Sequence, residues 1–389
     1  MSKLKGHIDW YILIPVIGLM LFSIAFVYSA SANYSQLKFQ SPDKLFWNHT
    51  VRVLISIGIL LFTAGLDYHI WKKISKPLIL TAVILLIFVL FAGTSAKGAT
   101  RWISLGPVTF QPSELAKFAL VIHFSALLER KQSVIKDFNL GFVPFLLWIG
   151  LICGLIALQP NFSTMMVIFL IAVTIMFIGN TNLLHLGATF VIGAVLAFGY
   201  AISAEYRVER LKAFLGIGEG EKTQAISHQL EQSLIAIGNG GVTGVGAGQN
   251  RQSYAFLPES YGDFIFAIIG EEYGFIGLIL IIAAFMVIFW RGMLIAKKAP
   301  DIFGYFLAVG IIITFAVYVF VNAGVNTGLL PTTGVPMPFL SYGGTAVFIY
   351  AAAIGTLLNI SAQAGVYPRK QEFFEEEEIE GDIEDGEGE

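Results

Sequence analysis

The sequence predicts an all-α polytopic membrane protein with about ten transmembrane helices. Its 389 residues are 56% hydrophobic and 13% charged, a composition that soluble domains seldom have. Apolar runs recur at the length needed to cross about 30 Å of hydrocarbon, where a helix satisfies its own backbone groups. Lysine and arginine are concentrated in alternate loops, as in proteins that cross a membrane repeatedly.

Taken in order, the apolar runs predict helices over 10–30, 48–66, 76–92, 112–128, 142–158, 163–179, 183–203, 264–290, 302–330 and 342–364. The first run is long enough to span, and no small-residue cleavage site follows it, so we expect it to stay as an anchor. Cys153 is the single cysteine, which excludes an intramolecular disulfide framework and favours a packing role.

The loop charges predict an orientation. With the N-terminus in the cytoplasm, the inside segments carry thirteen lysines and arginines, whereas the short outside loops carry four: Lys38, Lys44, Lys97 and Arg101. Both termini are therefore expected in the cytoplasm. The large loop 204–263, between the seventh and eighth helices, is expected outside the cell.

The chain is expected to form one membrane domain over residues 1–370, followed by an acidic tail over 371–389. The tail has eleven acidic residues from Glu372 to Glu389 and should be a disordered cytoplasmic segment. The rest of the chain is then basic, which suits anionic lipid or phosphate. No internal repeat supports a transporter with inverted halves.

Three irregular outer segments, around 93–112, 236–263 and 324–344, are expected to converge on one extracytoplasmic cavity, because such backbone needs protein or water beside it. Arg101 and Trp102 lie in the first, where Trp102 is either an interfacial anchor or part of a site. A helix then begins with QPSE, which includes Glu114. Lys117 lies one turn inside, where it either marks function or extends to the outer surface.

The second irregular segment contains a glycine run from Gly238 to Gly248. Its backbone N–H groups could bind a phosphate. The run lacks the GK[ST] ending and the strand-turn-helix frame of a nucleotide P-loop, so it is a weak signal for nucleotide. A tightly turned loop near a ligand is the other interpretation.

Carboxylates are the best proton acceptors on the outer side. Asp263 lies where the loop meets the eighth helix. It is either a helix N-cap or a general base, and Glu259 would help to raise the pKa of such a base. A pyrophosphate leaving group could be opposed by four cations, Arg101, Lys117, Arg207 and Arg210. Glu271 and Glu272 lie about 12–14 Å further along a helix, so they are expected in a buried network with Lys117 or another helix.

Several segments, in this order, resemble the FtsW/RodA or SEDS family of bacterial cell-wall synthesis: GATRWISLGPVTFQPSELAKF, LQPNFST, RVERLKAFL, QSLIAIGNGGVTGVGAGQ, FLPESYGDFIFAIIGEEYGFIG and GLLPTTGVPMPFLSYGGT. The resemblance implies a ten-helix peptidoglycan glycosyltransferase that polymerises lipid II at the outer face of the bacterial cytoplasmic membrane. It places the family's essential aspartate at Asp263. Its QPSE-lysine motif falls on Gln111, Pro112, Ser113, Glu114 and Lys117.

The expected substrate-binding residues are Arg101, Trp102, Glu114, Lys117, Arg207, Arg210, Glu259 and Ser341. The resemblance also implies partners: lipid II, a class B penicillin-binding protein and other membrane proteins of the division machinery, with no nucleic acid. It implies no covalently bound cofactor, and a divalent cation, Mg²⁺ or Mn²⁺, associated with activity.

Two positions depart from the family. Tyr261 and Gly262 stand where His-Thr is common before the aspartate, which leaves open how Asp263 is oriented, and Asn161 stands where Asp is common in the QPD motif. The motifs favour the division-type FtsW over the elongation-type RodA. A lipid II flippase and a scaffold for a transpeptidase are the alternatives from other functional classes.

Overall fold

The computed structural model describes residues 6–96, 99–105, 108–217, 221–252, 257 and 260–364. They form twelve helices: α1 (Trp10–Phe39), α2 (Lys44–Gly65), α3 (His69–Ala92), α4 (Pro112–Lys131), α5 (Val143–Leu158), α6 (Phe162–Ile178), α7 (Leu183–Ile202), α8 (Glu205–Leu215), α9 (Glu221–Gly240), α10 (Ile265–Lys297), α11 (Ile302–Asn326) and α12 (Ala346–Gln363). The acidic tail and Glu259 lie outside the described residues.

Each of the ten predicted segments is helical, and the all-α polytopic fold is confirmed. Eight helices in the described part of the chain are long and apolar enough to cross a membrane. The other two are α6, with 17 residues, and α4, which carries charged residues near both ends. Helices α8 and α9 lie within the predicted large loop, as expected for its charged first part.

The segment 94–110, expected as an irregular loop, contains a small antiparallel sheet. Its strands are β1 (Thr94–Ala96), β2 (Ala99–Leu105) and β3 (Val108–Phe110), in that spatial order. Thr100 of β2 opposes Ser95 of β1, and Ile103 opposes Phe110 of β3. The sheet gives Arg101 and Trp102 a rigid strand as their support.

Three helices form the centre of the bundle. The most apolar parts of α11 and α12 are 72% and 78% buried, against 17% for α7, which lies at the rim. Almost all of α4 up to Leu128 is also buried. Helix α4 packs on α3 and α11, while α2 packs closely on α12. The outer ends of α4, α11 and α12 therefore form a packed support for the segments at the outer end of the bundle.

A hydrogen bond and an ion pair hold the helices together at the end of the bundle opposite the irregular outer segments. The backbone N–H of Asp9 donates to Ser361 Oγ, and Arg291 forms an ion pair with the Asp9 carboxylate at 2.6 Å. The start of α1 therefore lies beside the ends of α10 and α12. This grouping matches the predicted alternation of the helices, with the starts of odd-numbered spans at one end.

Helix α10 is broken at Gly274, whose φ is 65°. The loop after α9 satisfies the freed backbone groups: Val245 N donates to Glu271 O at 3.0 Å, and Phe275 N donates to Gly241 O at 2.9 Å. A broken helix at membrane depth is tolerated where protein replaces its missing hydrogen bonds. The glycine run is therefore a tightly turned loop whose N–H groups are partly used inside the protein.

Candidate active site

Asp263 lies in a turn over residues 260–264 that other elements fix from outside. Ser260 Oγ donates to the Ala30 carbonyl of α1 at 2.9 Å, and Tyr342 N donates to the Tyr261 carbonyl at 2.8 Å. The N-cap of α10 is Phe264. The N-cap position considered for Asp263 is therefore occupied by the next residue, Phe264.

Two buried asparagines of α11 hold the backbone of this turn. Asn322 and Asn326 both donate from Nδ2 to the Asp263 carbonyl, at 2.9 and 3.0 Å. Asn322 also donates to the Val335 carbonyl, and Asn326 Oδ1 accepts from Ala267 N in the first turn of α10. Asn326 thus caps α10 from a neighbouring helix, and Asn322 ties the turn to the segment before α12.

The half-buried carboxylate of Asp263 lies against Gly334. A Cβ added at Gly334 would be 3.3 Å from Asp263 Oδ2, and the φ of this glycine is +72°. Only glycine adopts that conformation readily, and its missing side chain leaves room beside the carboxylate. The Asp263 side chain is therefore partly exposed and lies close to the backbone of Gly334.

The three irregular outer segments meet here, as the sequence predicted. Gly344 lies against Thr109 and the ring of Trp102, since a Cβ there would be 3.2 Å from Thr109 O and 3.6 Å from Trp102 Cζ3. Gln111 N donates to Thr345 Oγ1 at 3.3 Å. Trp102 therefore packs on the segment before α12. Its ring forms part of the wall of the site.

Three arginines line the α8 side of the site. Arg101 donates from Nε to the Gln159 carbonyl at 3.2 Å and also to the Pro160 carbonyl, while Arg210 donates to the Thr332 carbonyl at 3.3 Å. Arg207 stacks on Tyr200, with its guanidinium carbon 3.7 Å from the ring centre. Burial lowers the pKa of Arg101, and the neighbouring charge of Arg210 lowers it further. These three residues are called the arginine group, and Arg210 links the group to Thr332, two residues before Gly334 in the sequence.

Glu114 and Lys117 lie elsewhere, in the core of the bundle. Lys117 Nζ is 2.7 Å from Glu114 Oε2 and 3.7 Å from the ring centre of Tyr318. Their relative exposures are 4% and 2%, so neither reaches solvent or the outer surface. The pair joins α4 to α11 and α12 through Tyr318 and Tyr350, and the substrate contact predicted for both stays a prediction.

Ser341 is also occupied structurally. It is buried, and its Oγ accepts a hydrogen bond from Met337 N at 2.8 Å. This bond closes the turn over 337–341 and thereby shapes the segment that contacts the Asp263 turn. Its predicted contact with substrate stays a prediction.

Glu271 and Glu272 form a separate buried network, as predicted. Glu271 accepts from the backbone N–H groups of Arg251 and Gln252, and Glu272 accepts from Ser29 Oγ and Asn250 Nδ2. Lys117, one of the partners considered, is paired with Glu114. The network joins α1 and the loop after α9 to the break in α10.

A metal ion would find few protein ligands at this site. Across the residues that the structure describes, no three His, Cys, Asp or Glu side chains are grouped closely enough to hold a metal. Asp263 supplies one carboxylate beside the arginine group. Mg²⁺ is often held by one or two carboxylates together with substrate phosphates, a mode that this site permits.

The sequence interpretation missed Asn322 and Asn326. The available signal was their spacing: two amides four residues apart lie on one face of an otherwise apolar helix. Polar side chains in a spanning helix normally face protein or a wet cavity. It also missed Tyr342, whose backbone N–H holds the Asp263 turn, because an aromatic residue is typical of any membrane interface.

Comparisons with known proteins agree with this architecture. The family model of the FtsW/RodA/SpoVE cell cycle proteins matches residues 9–365. Stage V sporulation protein E of Bacillus subtilis is 39% identical over 365 residues, covering 93% of this chain and 99% of that protein. A probable peptidoglycan glycosyltransferase FtsW of Trichlorobacter lovleyi is 37% identical over 362 residues, covering 92% and 94%.

Two solved structures share the fold. A chain from a structure described as the structural coordination of polymerization and crosslinking by a peptidoglycan synthase complex has a TM-score of 0.76, at 23% identity, covering 92% of this chain and 98% of that chain. The rod shape-determining protein RodA of Thermus thermophilus has a TM-score of 0.65, at 23% identity, covering 91% and 96%. By sequence and by fold, this chain belongs to the FtsW/RodA/SpoVE family of cell cycle proteins.

Proposed function

We propose that the protein is a peptidoglycan glycosyltransferase that polymerises lipid II into glycan strands. The observation that carries this proposal is Asp263, a half-buried residue whose backbone carbonyl is fixed by Asn322 and Asn326 and whose carboxylate lies against Gly334, two residues after the Thr332 that Arg210 contacts. Relatives at 37% and 36% identity are named probable peptidoglycan glycosyltransferases. A fixed base next to fixed positive charge suits the displacement of an anionic leaving group.

In the proposed reaction, Asp263 accepts the proton of the acceptor sugar's 4-hydroxyl. The oxygen attacks the anomeric carbon of the donor, the bond from that carbon to the pyrophosphate oxygen breaks, and undecaprenyl pyrophosphate leaves with the bonding electrons. The carboxylate must lie within hydrogen-bond reach of the hydroxyl, so a rigid backbone at Asp263 favours the reaction.

The arginine group would stabilise the departing pyrophosphate. Arg101 and Arg210 each use part of their hydrogen-bonding capacity on backbone carbonyls, and a guanidinium has five N–H donors. Donors held in place before reaction need little reorganisation as charge develops. The lipid tails would lie along the apolar outer surfaces of the helices.

We further propose the setting of this activity. The protein would act at the outer face of the bacterial cytoplasmic membrane with a class B penicillin-binding protein, alongside other division proteins. The relatives named FtsW support a role in septal wall synthesis, and the sporulation relative supports a related role in spore formation. Elongation-type activity is the alternative. Depleting the protein from cells and observing whether division or elongation fails would distinguish the two.

A divalent cation, Mg²⁺ or Mn²⁺, is part of the proposal. Since no three described His, Cys, Asp or Glu side chains group closely enough to hold a metal, phosphate oxygens of the substrate would be its main ligands. When bound, it would neutralise charge on the pyrophosphate. Chelation should then slow polymerisation, and should also weaken retention of labelled lipid II by the Asp263→Asn protein.

The central test is Asp263→Asn in purified full-length protein with its partner, supplied with labelled lipid II. We expect loss of polymer by about 10³-fold or more, because the amide does not accept the proton. Asp43→Asn is the matched control, since Asp43 is an exposed aspartate at the outer start of α2 and its side chain makes no capping bond.

Undiminished polymer from folded Asp263→Asn protein would show that Asp263 is not the base. Polymer that depends only on the partner would contradict the enzyme assignment and favour the scaffold. Transfer of lipid II between leaflets without polymer would favour the flippase.

A further inference from the structure

Three tyrosines connect the Asp263 turn to cations on α1 and α2, away from the arginine group. The ring centres of Tyr34 and Tyr261 are 5.2 Å apart, and those of Tyr261 and Tyr342 are 5.6 Å apart. Lys38 Nζ lies 5.3 Å from the Tyr34 ring centre, and the Arg52 guanidinium lies 4.9 Å from that of Tyr342. These five residues are called the tyrosine strip.

Arg52 differs from two other cations inside the bundle, Lys117 and Arg291, which have carboxylate partners. Lys117 is paired with Glu114 and Arg291 with Asp9. Within the described part of the chain, no carboxylate lies within ion-pair distance of Arg52, whose Nη1 donates to the Gly343 carbonyl at 3.2 Å. That bond uses one of five N–H donors. A half-buried guanidinium with this capacity is suited to bind phosphate.

The surface beside Arg52 is not tightly packed at Gly343. A Cβ added at Gly343 would meet no atom closer than 3.9 Å. Tyr34, Tyr261 and Tyr342 are partly exposed, and Lys38 is exposed. Aromatic side chains that combine an apolar ring with a hydroxyl are common in sites that bind molecules with both apolar and polar faces.

We propose that the tyrosine strip is a second sugar-phosphate subsite, in which Arg52 binds the diphosphate of a lipid-linked sugar and Tyr261 and Tyr34 contact its rings. The proposal rests on the polymerase function, which brings two lipid-linked diphosphates to one base. The arginine group and Arg52 contact different points of the same outer segment, Thr332 and Gly343. One cationic group would then serve each substrate.

The first test measures steady-state polymerisation by the full-length protein with its partner. Arg52→Gln should raise the KM for lipid II about 10-fold while kcat stays within twofold, because a charge-assisted contact to phosphate is lost from binding. Tyr261→Ala should also raise KM, whereas Tyr261→Phe keeps the ring and should behave as the parent. Lys73→Gln is the control, because it removes an exposed charge near the start of α3, at the end of the bundle away from Asp263.

The second test fills the space without removing charge. Gly343→Leu places a side chain beside Arg52 and should raise KM in the same way, while Gly343→Ala should have little effect. An unchanged KM in Arg52→Gln, or a fall in kcat alone, would overturn the subsite; the latter would assign Arg52 to positioning the segment before α12.

Binding separates this proposal from the polymerase function. Labelled lipid II is titrated into Asp263→Asn protein and into the double variant that also carries Arg52→Gln. Weaker binding by the double variant supports the subsite even where the parent makes no polymer, and equal binding overturns it. Absence of polymer from the parent contradicts the polymerase function alone.

Discussion

Asn322 fixes the position of Asp263 without touching its carboxylate. Its Nδ2 group donates to the carbonyls of Asp263 and Val335, and the side chain is buried. Removing the amide leaves the buried Val335 carbonyl without this donor, at a cost of about 1–3 kcal/mol, and leaves the Asp263 carbonyl with the donor from Asn326 only. It also loosens the turn that aims the base. Asn322 is therefore a positioning residue.

We predict that Asn322→Ala lowers kcat at least about 10-fold with little change in KM, because small misplacements of a reacting group slow the chemical step. Asn359→Ala is the matched control. Asn359 is equally buried and bonds Tyr68 N and the Ala64 carbonyl at the other end of the bundle. Both variants should unfold at lower temperature in detergent. Equal kcat values in the two would show that Asn322 is only structural.

The broken helix α10 depends on close backbone contact with the loop after α9. A Cβ at Gly244 would lie 2.1 Å from Glu272 O, and its φ is +83°. A Cβ at Gly240 would lie 1.9 Å from Gly270 O. Glycine is required at both positions because backbone approaches backbone. The break in turn places Glu271 and Glu272 in their buried network.

We predict that Gly244→Ala destabilises the protein by at least about 2 kcal/mol, from strain at positive φ together with the clash. Gly238→Ala is the control, since a Cβ there meets nothing within 4 Å and alanine favours a helix. The midpoints of thermal unfolding in detergent should fall for the first variant and stay equal or rise for the second. A similar midpoint for both would contradict the close contact.

The apolar runs predicted the helices because each run must satisfy its own backbone in lipid. They predicted none of the three strands; β1 and β3 have three residues each, which carry too little pattern. The break at Gly274 was equally hidden, since only the approach of the 241–246 backbone makes it necessary. Asp263 was predicted from its type and place, and its role as a base stays a proposal. The pairing of Lys117 with Glu114 was missed although the sequence carries a signal for it, because residues three apart on one helix are neighbours.

The two ends of the molecule have different roles. The end with Asp263 carries the site, while the opposite end holds the helices together through charged groups in its loops. Asp301, the N-cap of α11, accepts hydrogen bonds from Tyr68, from Gly304 N and from His69, whose Nε2 is 2.8 Å from Asp301 Oδ2. His69 also bonds Asp67. The cluster joins the α2–α3 turn to the start of α11.

This cluster predicts a pH-dependent stability. Burial raises the pKa of Asp301, but the hydrogen bonds from Tyr68, Gly304 and His69 outweigh it and leave that pKa below its usual value; the pKa of Asp67 is lowered similarly through His69. A lowered pKa stabilises the fold above the unfolded value, about 3.9, and the stabilisation is lost as pH falls through the folded value.

Asp301→Asn should therefore cost about 1 kcal/mol at pH 7, because charged hydrogen bonds on a partly exposed group are replaced by neutral ones. The difference from the parent should shrink below about pH 4, where the parent's own carboxylate becomes protonated. Thermal unfolding in detergent from pH 3 to pH 8 measures this, with Asp43→Asn as the control. A constant difference across that range would mean that Asp301 contributes as a neutral cap. A shrinking difference would show that ionised carboxylates join α3 to α11 at the end of the bundle away from the site.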